Sequence, residues 1–391
     1  MQQKVLIVGG GFGGIRTALD LAKKPGFEIT LISKNQNFEY YPGLHKMLGV
    51  SEYPITQIPL ATIFKDRAVN VVTDTALEVD IEQKKVTTHS GVFQGDFLVL
   101  ALGSQTEYFG IAGLKESAYG FKSVNEAQKL RQHIEMLFEK HAKTEKTETV
   151  VGLHMVVVGA GPNGVDLAGE LAVLDKHLAQ KYGITESFTT IDLIEAGPRV
   201  LGMMSESVSR RVEQRLRRLG VNIFCNRDLH KEESWTVTMA DMTIGARTLI
   251  WTAGITTHEL VTRIPGFVLG KKNRVAVDEY LQAKSTTGFF KNVFCIGDIA
   301  DTQYAGLAQT ALTDGSYVAR IISKECAGKK LKTYSAKPVA YNIGVGRRWS
   351  VLVIGTFEFF GFLPYIMRTF IDIKFFLSIL PVRDVVKLYL K

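Results

Sequence analysis

The stretch VLIVGGGFGGIRTALDLA, from Val5 to Ala22, decides the fold of the first part of the chain. An apolar strand runs into glycines in the pattern G-x-G-x-x-G, at Gly9, Gly11 and Gly14, and a helix follows. The first glycine permits a tight turn, the second lets the backbone approach a pyrophosphate, and the third lets the helix pack on the strand. The free N–H groups that open the helix can then bind phosphate. We expect a dinucleotide here, contacted by Gly9, Gly10, Gly11, Phe12, Gly13 and Gly14.

The same pattern returns at MVVVGAGPNGVDLAGELA, from Met155 to Ala172. A strand, a glycine turn and a helix again follow one another, and the strand TTIDLIEA comes next. Alternation of strands and helices is typical of parallel sheets with crossover helices. The sequence therefore predicts an α/β protein with two Rossmann-like dinucleotide-binding domains and two ligands. The residues expected to contact the second ligand are Gly159, Gly161, Pro162, Asn163 and Gly164.

The two copies differ at the position that usually carries an acidic residue for the ribose hydroxyls. The first copy offers Ser33 and Lys34 at the end of TLISKN, and a hydroxyl binds ribose more weakly than a carboxylate does. The second copy has Glu195 at the end of its strand, after a long helix. A carboxylate there favours NADH over NADPH, because it repels a 2′-phosphate. The alternative for Glu195 is an ordinary exposed acid at a strand end.

Composition sets wide bounds on the partners of the chain. Its 391 residues are 46% hydrophobic and 22% charged, which suits a globular protein of two to three domains. The net charge of +8 favours an anionic partner, such as a cofactor phosphate or an acidic membrane, or it reflects only a solvated surface. We find no nucleic-acid-binding motif. Cys225, Cys295 and Cys326 are far apart, so we expect no redox pair, no metal site and a reducing intracellular setting without a signal peptide.

Other apolar strands and composition changes suggest the domain boundaries. GDFLVLALGS and ARTLIWTAG each place a strand before a turn of small residues, and NVFCIGDIA adds a strand with a Gly-Asp turn. A polar helix is predicted from Ser123 to Glu148 as a connection. We expect an FAD-binding domain at residues 1–115 and 275–330, an NADH-binding domain at 116–274, and a C-terminal region at 331–391.

Both fingerprints, together with LALGS, TLIWTAG, VFCIGDIA, YFGIAGL, GELA, EAGPRVL and AGLAQTALTDG, make the chain similar to flavoproteins with two dinucleotide-binding domains. Among these it most resembles type II NADH dehydrogenase, a single-subunit NADH:quinone oxidoreductase. The resemblance implies FAD on the first fingerprint, NADH on the second, and Asp298 near the ribityl or phosphate part of the flavin. The further cofactor contacts that it implies are Ala101, Gly103, Ala253, Gly254, Gly297, Asp298 and Ala308.

The resemblance also implies a quinone site. An A-Q-x-A-x-Q-type segment borders this site in the family, and here Gln309 matches while Thr313 stands at the second glutamine position. Lys337 is mapped to a lysine near the flavin, and Asp166 stands where the family usually has glutamate. Asp166 and Glu170 are candidates for the protons that quinone reduction consumes. Their alternative role is structural, as helix electrostatics and a salt bridge.

The C-terminal tail, from Trp349 to Lys391, is the most hydrophobic part of the chain. Its charges leave no uncharged run of the length that a spanning helix needs. After Pro381, the residues Arg383, Lys387 and Lys391 form a basic stripe. We expect amphipathic helices that anchor the protein peripherally on an anionic membrane, at its cytoplasmic face. A buried dimerisation surface or a lid over the core is the alternative, and a homodimer is expected.

The function that this resemblance implies is FAD-dependent oxidation of NADH by a membrane quinone, without proton pumping, in a respiratory chain. A soluble NAD(P)H-dependent ferredoxin or rubredoxin reductase is one alternative. A sulfide:quinone oxidoreductase is another, although the spacing of the three cysteines does not suit its chemistry. A non-catalytic flavoprotein whose redox state governs partner binding is the alternative from a different class.

Overall fold

The computed structural model describes residues 2–49, 55–143, 153–185, 189–233, 236–239 and 241–390. The described residues form 24 strands and ten α-helices. The strands are β1 (Gln3–Val8), β2 (Phe27–Ser33), β3 (Asn37–Glu39), β4 (Gln57–Pro59), β5 (Val69–Thr73), β6 (Ala76–Asp80), β7 (Lys85–Thr88), β8 (Gly91–Gln94), β9 (Phe97–Leu100), β10 (Ser104–Thr106), β11 (Tyr119–Gly120), β12 (His154–Val158), β13 (Thr190–Ile194), β14 (Val221–Phe224), β15 (Leu229–Glu233), β16 (Thr236–Met239), β17 (Thr243–Gly245), β18 (Thr248–Trp251), β19 (Ile255–Thr257), β20 (Gln282–Ser285), β21 (Gly288–Cys295), β22 (Tyr341–Gly344), β23 (Ser350–Ile354) and β24 (Phe357–Gly361). The helices are α1 (Phe12–Leu21), α2 (Leu60–Ile63), α3 (Leu114–Ser117), α4 (Val124–Lys143), α5 (Pro162–Tyr182), α6 (Glu206–Leu219), α7 (Glu259–Arg263), α8 (Ala308–Cys326), α9 (Phe362–Ile379) and α10 (Val382–Tyr389).

A six-stranded sheet organises the first part of the chain, in the order β20-β21-β9-β1-β2-β5. The pairs from β21 to β5 are parallel, and only β20 joins antiparallel. The strand β1 is buried on both faces, which explains its unbroken apolar run. Helices α1 and α8 pack closely on each other because they meet at small residues: a Cβ on Gly315 would lie 2.5 Å from the carbonyl oxygen of Gly13.

A five-stranded sheet repeats this architecture, in the order β11-β18-β12-β13-β14, with all pairs parallel. Helices α4, α5 and α6 contribute apolar side chains to the core beside it. The predicted α/β class with two Rossmann-like sheets is confirmed. The domain boundaries stay a prediction, although each sheet draws its strands from the segments expected for it.

The predicted elements differ from the structure in three places. The run AVNVVTDTALEVD, residues 68–80, is strand-like as a whole in the sequence, but it forms two strands, β5 and β6, which belong to different sheets. The polar connecting helix begins at Val124 and is described to Lys143, and the remainder of its predicted length lies outside the described residues. The helix that follows the second glycine fingerprint is expected from about Asn163, and in the structure it begins at Pro162.

The C-terminal tail begins with strands, where we expected helices. Strands β23 and β24 form an antiparallel hairpin, and Gly355 in the turn has a φ of +59°, which favours glycine. Helices α9 and α10 follow, and Pro364 lies in the first turn of α9, where a missing N–H costs little. The prediction of helices is therefore correct only after residue 361. The basic stripe is described at Arg383 and Lys387, but Lys391 lies outside the described residues.

The tail packs against both halves of the protein. Phe376, Ile379, Leu380 and Val385 are buried in the core that includes α1, and Val351 is buried in the core that includes α5. The alternative interpretation, in which the tail forms a lid over the core, is thus correct for the inner face of the tail. In the part of the chain that the structure describes, no helix combines the length and the apolar character needed to cross a bilayer.

Candidate functional site

The first phosphate-binding turn, residues 9–14, has the geometry that its three motif glycines predict. Gly9 has a φ of +119°, and a Cβ there would collide with the carbonyl of Ala101. A Cβ on Gly14 would collide with the carbonyl oxygen of Gly9. No atom lies within 4 Å of a Cβ built on Gly11. The first and third glycines therefore serve the fold, and the second leaves open space where a pyrophosphate fits.

Helix α1 leaves its N-terminus available to that space. Its N-cap is Gly11, no side chain caps it, and its first turn holds no acidic residue. The remaining predicted contacts face protein: Gly10 packs on Ser33, Gly13 on Ile296, and the Phe12 ring lies edge-on to Phe38 at 4.9 Å. At these three residues, therefore, any contact with a phosphate would have to come from a backbone N–H group.

The second phosphate-binding turn, residues 159–164, repeats this geometry. Gly159 has a φ of +101°, and a Cβ on it would lie 2.6 Å from Cα of Ala253. A Cβ on Gly164 would collide with the carbonyl oxygen of Gly159, whereas Gly161 again faces open space. Helix α5 starts with Pro162 and is also uncapped by any side chain. Both turns thus fit a dinucleotide phosphate on the evidence of backbone geometry alone.

Two predicted contacts of the second site lie at its border. Asn163 is exposed at the start of α5. Gly254 approaches Phe109, since a Cβ on it would lie 2.7 Å from Cε2 of that ring. Gly254 therefore allows the loop before α3 to pass close to the sheet.

Strand register shows that Ser33 and Glu195 occupy equivalent positions. Val8 pairs with Ile32 in the first sheet and Val158 with Ile194 in the second, so Ser33 follows the last pair of β1 with β2 and Glu195 follows the last pair of β12 with β13. Glu195 accepts hydrogen bonds from the backbone N–H groups of Ala160 (2.7 Å) and Gly197 (2.8 Å), one on each carboxylate oxygen. The carboxylate is therefore fixed beside the second turn, with lone pairs left for ribose hydroxyls.

Ser33 is buried, and its hydroxyl donates to the carbonyl oxygen of Asn35 at 2.8 Å. A Cβ on Gly10 would collide with that hydroxyl, so Ser33 lies directly under the first turn. Lys34, next in the chain, is exposed. A polar cleft of about 360 Å³ opens beside Ser33, and its lining residues are Lys34, Asn35, Gln36, Asn37, Glu39, Gln57 and Thr73.

Asp298 lies in the Gly-Asp turn at the end of β21, where Gly297 has a φ of +71°. Its carboxylate Oδ2 accepts from the hydroxyl of Ser104, which follows the predicted turn at Ala101 and Gly103. Lys122 donates from Nζ to that hydroxyl at 2.6 Å. Sequence reasoning missed Lys122, because no motif marks a lysine that contacts residues so distant in the chain.

A buried carboxylate that the sequence did not single out supports the same turn. Asp314, fully buried in α8, accepts from the backbone N–H of Gly297 (2.9 Å) and from the hydroxyl of Tyr334 (2.6 Å). Burial raises the pKa of Asp314 to about 6, although both hydrogen bonds oppose that rise. The hydrogen bond from Gly297 to Asp314 thus fixes the turn that carries Asp298 to helix α8.

The predicted quinone-site residues lie around the start of α8. Ala308 opens this helix, and Gln309 is exposed with its amide paired to the backbone of Ala340, donating at 2.9 Å and accepting at 3.4 Å. Thr313 bonds to the carbonyl oxygen of Gln309 at 2.9 Å. Lys337 is exposed in the same segment as Ala340. The structure thus groups Gln309 with Thr313 and with the segment that carries Lys337.

Asp166 and Glu170 lie one turn apart on α5 and have different surroundings. Asp166 accepts two hydrogen bonds from the Arg368 guanidinium, both at 2.8 Å. Burial acts to raise the pKa of Asp166, but the charge of the Arg368 guanidinium and the N–H of Gly344 hold it below its ordinary value. Asp166 is therefore a fixed carboxylate in an ion pair with the C-terminal tail.

The pKa of Glu170 is shifted in the opposite direction to that of Asp166. Burial and the neighbouring charge of Asp166 raise the pKa of Glu170 to about 7, although Arg368 and Lys46 oppose the shift. Its carboxyl group can therefore exchange a proton near neutral pH.

The residues around this pair were not predicted from the sequence. Burial and the charge of Arg368 lower the pKa of His45 to about 3, so His45 is neutral and its 3.9 Å approach to Asp166 is not an ion pair. Asp372 on α9 accepts from Tyr40 and from Lys46, both at 2.6 Å. Arg368 and Asp372 together join α9 to the 3-10 helix Tyr41–Leu48 and to α5.

The cysteines are not arranged for redox chemistry. Cys295 is fully buried in β21, where burial raises the pKa of its thiol. Cys225 is half-buried and Cys326 is exposed, and all three are free thiols. Among the residues given a position, no three His, Cys, Asp or Glu side chains are grouped as metal ligands.

Comparisons with known proteins identify the family. Residues 3–315 match the pyridine nucleotide-disulphide oxidoreductase family. A type II NADH:quinone oxidoreductase of Staphylococcus aureus is 30% identical over 353 residues, covering 85% of each chain. The fold matches NDH2 from Plasmodium falciparum in complex with NADH (TM-score 0.89, 18% identity, 100% of this chain and 97% of the other). It also matches the sulfide:quinone oxidoreductase of Aquifex aeolicus (TM-score 0.79, 20% identity, 96% and 91%), so fold alone does not choose between these activities. The chain belongs to the pyridine nucleotide-disulphide oxidoreductase family and, within it, to the type II NADH:quinone oxidoreductases.

Proposed function

We propose that this oxidoreductase uses FAD to pass two electrons from NADH to a membrane quinone, without pumping protons. The observation that carries the proposal is the pair of glycine turns that open two parallel sheets, one with the Glu195 carboxylate held beside it and one with Ser33 at the equivalent position. FAD, when bound, would supply the two-electron carrier between NADH and quinone. The protein itself would bind and align the partners.

The first turn is the proposed FAD site. The open face of Gly11 and the free N-terminus of α1 would hold the pyrophosphate, and the carboxylate of Asp298 would accept from a hydroxyl of the flavin side chain. The second turn is the proposed NADH site. Glu195 would accept from the ribose hydroxyls, and its charge would exclude the 2′-phosphate of NADPH.

Glu170 is the proposed proton-holding group for quinone reduction. Asp166 was an equal candidate from the sequence, but its ion pair with Arg368 fixes it in the charged form. The pKa of Glu170 near 7 suits a group that binds and releases a proton at working pH. Gln309, Thr313 and Lys337 remain our proposed quinone-side residues.

Peripheral attachment to the cytoplasmic face of the membrane is also proposed, through the outer face of the tail. Its exposed large apolar side chains are Ile354, Phe357, Phe359, Phe362, Leu363, Tyr365, Met367, Phe370, Ile371, Leu377, Val382, Val386, Tyr389 and Leu390. An apolar patch of this kind, flanked by Arg383 and Lys387, suits an anionic bilayer interface. A homodimer is proposed on the resemblance alone.

Anaerobic spectroscopy of the purified protein tests the redox proposal. The flavin is first extracted and identified by chromatography and mass, and we expect FAD. NADH should then bleach the flavin absorption, and a soluble quinone should restore it without any protein acceptor. A flavin that NADH does not reduce would refute the enzyme proposal, and reoxidation by a ferredoxin alone would favour the reductase alternative.

Liposome sedimentation tests the membrane proposal. Deleting the tail is unsuitable, because Phe376 and Leu380 belong to the core. Replacing exposed Leu363 and Phe370 with serine should instead abolish binding to vesicles that contain anionic lipid. Val92→Ser, which changes an exposed apolar residue elsewhere, is the matched control. Unchanged binding of the Leu363 and Phe370 variant would refute this surface.

A further inference from the structure

Lys122 connects the two sheets at the Gly-Asp turn. It lies between β11, the edge strand of the second sheet, and α4. Its side chain nevertheless reaches Ser104, which follows β9 of the first sheet, and through it Asp298 at the end of β21. Three separate segments of the chain therefore meet at one line of hydrogen bonds.

The direction of these hydrogen bonds follows from chemistry. A lysine ammonium can only donate, and an ionised carboxylate can only accept. The Ser104 hydroxyl must therefore accept from Lys122 Nζ and donate its single proton to Oδ2 of Asp298. Lys122 thus fixes which way the hydroxyl of Ser104 points, and that hydroxyl fixes one oxygen of Asp298.

The surroundings hold the Lys122 side chain in place. Its own backbone N–H donates to Oε2 of Glu126 at 2.6 Å, which anchors the segment to the start of α4. Burial lowers the pKa of Lys122, while the charges of Asp298 and Glu126 oppose that change. Lys122, Ser104 and Asp298 are each only partly buried. Their chain of hydrogen bonds therefore lies near the protein surface and not in the core.

The second oxygen of Asp298 is available. Among the residues that the structure describes, none donates to Oδ1 of Asp298, whereas its backbone oxygen accepts from Arg274 at 3.1 Å. The carboxylate therefore presents one oxygen, in an orientation set by the other. An oriented carboxylate oxygen is suited to a hydroxyl of a polyhydroxylated chain.

We propose that Lys122 is a positioning residue that acts through Ser104 to aim Asp298 at a hydroxyl of the flavin side chain. The inference rests on the proposed binding of FAD to the first phosphate-binding turn. It makes flavin affinity depend on a residue of the segment that enters the NADH-binding part. Lys122 touches neither reacting atoms nor the phosphate groups in this account.

Titration of the flavin-free protein with FAD, followed by flavin fluorescence, tests the proposal without any turnover. Lys122→Met and Ser104→Ala should each raise the Kd for FAD by about tenfold or more, the loss expected for one charge-assisted hydrogen bond. Lys129→Met changes an exposed lysine on α4 and should leave the Kd within about twofold. The melting temperature of each flavin-free variant reports any general loss of stability.

The double variant separates positioning from a merely structural role. If Lys122 acts through Ser104, Lys122→Met in the Ser104→Ala background should change the Kd by less than about twofold. Additive effects, or a Kd for Lys122→Met equal to that of the wild type, would overturn the inference. Failure of the wild-type protein to bind FAD would instead refute the proposed function, so the two failures are distinguishable.

Discussion

Breaking the buried ion pair between Arg368 and Asp166 should strongly destabilise the protein, and Arg368→Met tests this. The two side chains are only 12% and 14% exposed, and both N–O contacts are 2.8 Å. Methionine keeps much of the apolar stem but leaves Asp166 as an unpaired buried carboxylate. Loss of one partner of a buried pair costs about 3–5 kcal/mol. We therefore expect Arg368→Met to lower the free energy of unfolding by this amount. The loss of the hydrogen bond from Arg368 to the carbonyl oxygen of Pro42 is part of the effect.

Urea-induced unfolding of the full-length protein measures the effect. A second variant combines Arg368→Met with Asp166→Leu, and we expect it to recover most of the loss, because neither charge is then buried. Arg383→Met is the matched control: its 3.8 Å ion pair with Asp384 is exposed, so a change within about 0.5 kcal/mol is expected. The reasoning would be wrong if Arg368→Met stayed within about 1 kcal/mol of the wild type, or if the double variant were no more stable than the single one.

Three further predictions concern the first phosphate-binding turn, Glu195 beside the second, and Glu170. Gly11→Ala should weaken FAD binding without changing the melting temperature of the flavin-free protein, whereas Gly14→Ala should destabilise that protein by about 1–3 kcal/mol, because its Cβ meets the carbonyl of Gly9. Equal melting temperatures of the two variants would contradict this assignment. Glu195→Ala should raise the KM for NADH by about tenfold and reduce the preference over NADPH, as steady-state kinetics would show; an unchanged ratio would exclude a ribose contact. The pKa of Glu170 is raised from 4.5 to about 7 in the folded protein. Protonated Glu170 therefore contributes its full stabilisation below the unfolded pKa. This stabilisation is lost as the pH rises to 7, which lowers the free energy of unfolding by about 3 kcal/mol. Glu170→Gln should therefore flatten the stability profile between about pH 5 and 7 in urea unfolding, and an unaltered profile would disprove the raised pKa.

The phosphate-binding turns could be predicted from the sequence because their constraints are local. Gly9 and Gly14 are five positions apart, and the collision that excludes a side chain at Gly14 is with Gly9 itself. Glu195 was also predictable, despite the long helix before it, because it ends a clearly apolar strand. Local geometry and local pattern are the information that one sequence carries well.

The contacts around Lys122 and Arg368 could not be predicted in the same way. Arg368 meets Asp166 across 202 positions, and Lys122 becomes informative only once Asp298 lies beside Ser104. Apolar periodicity also failed to show which face of the tail is covered, since lipid and protein select the same side chains. Tertiary packing decides these features, and it brings together residues whose types are unremarkable in isolation.

The equivalence of Ser33 and Glu195 has a consequence for how such a chain can diversify. Ser33 comes directly after the last pair of β1 with β2, and Glu195 directly after the last pair of β12 with β13, so a changed side chain at either position leaves those two ladders intact. A duplicated ancestral half could therefore acquire a new nucleotide preference by substitution at this single edge position while its interior stayed the same. If both positions contact ribose, as proposed, each half of the protein has one strand-end position at which a changed side chain would alter nucleotide selectivity while the strand pairing before it stays the same.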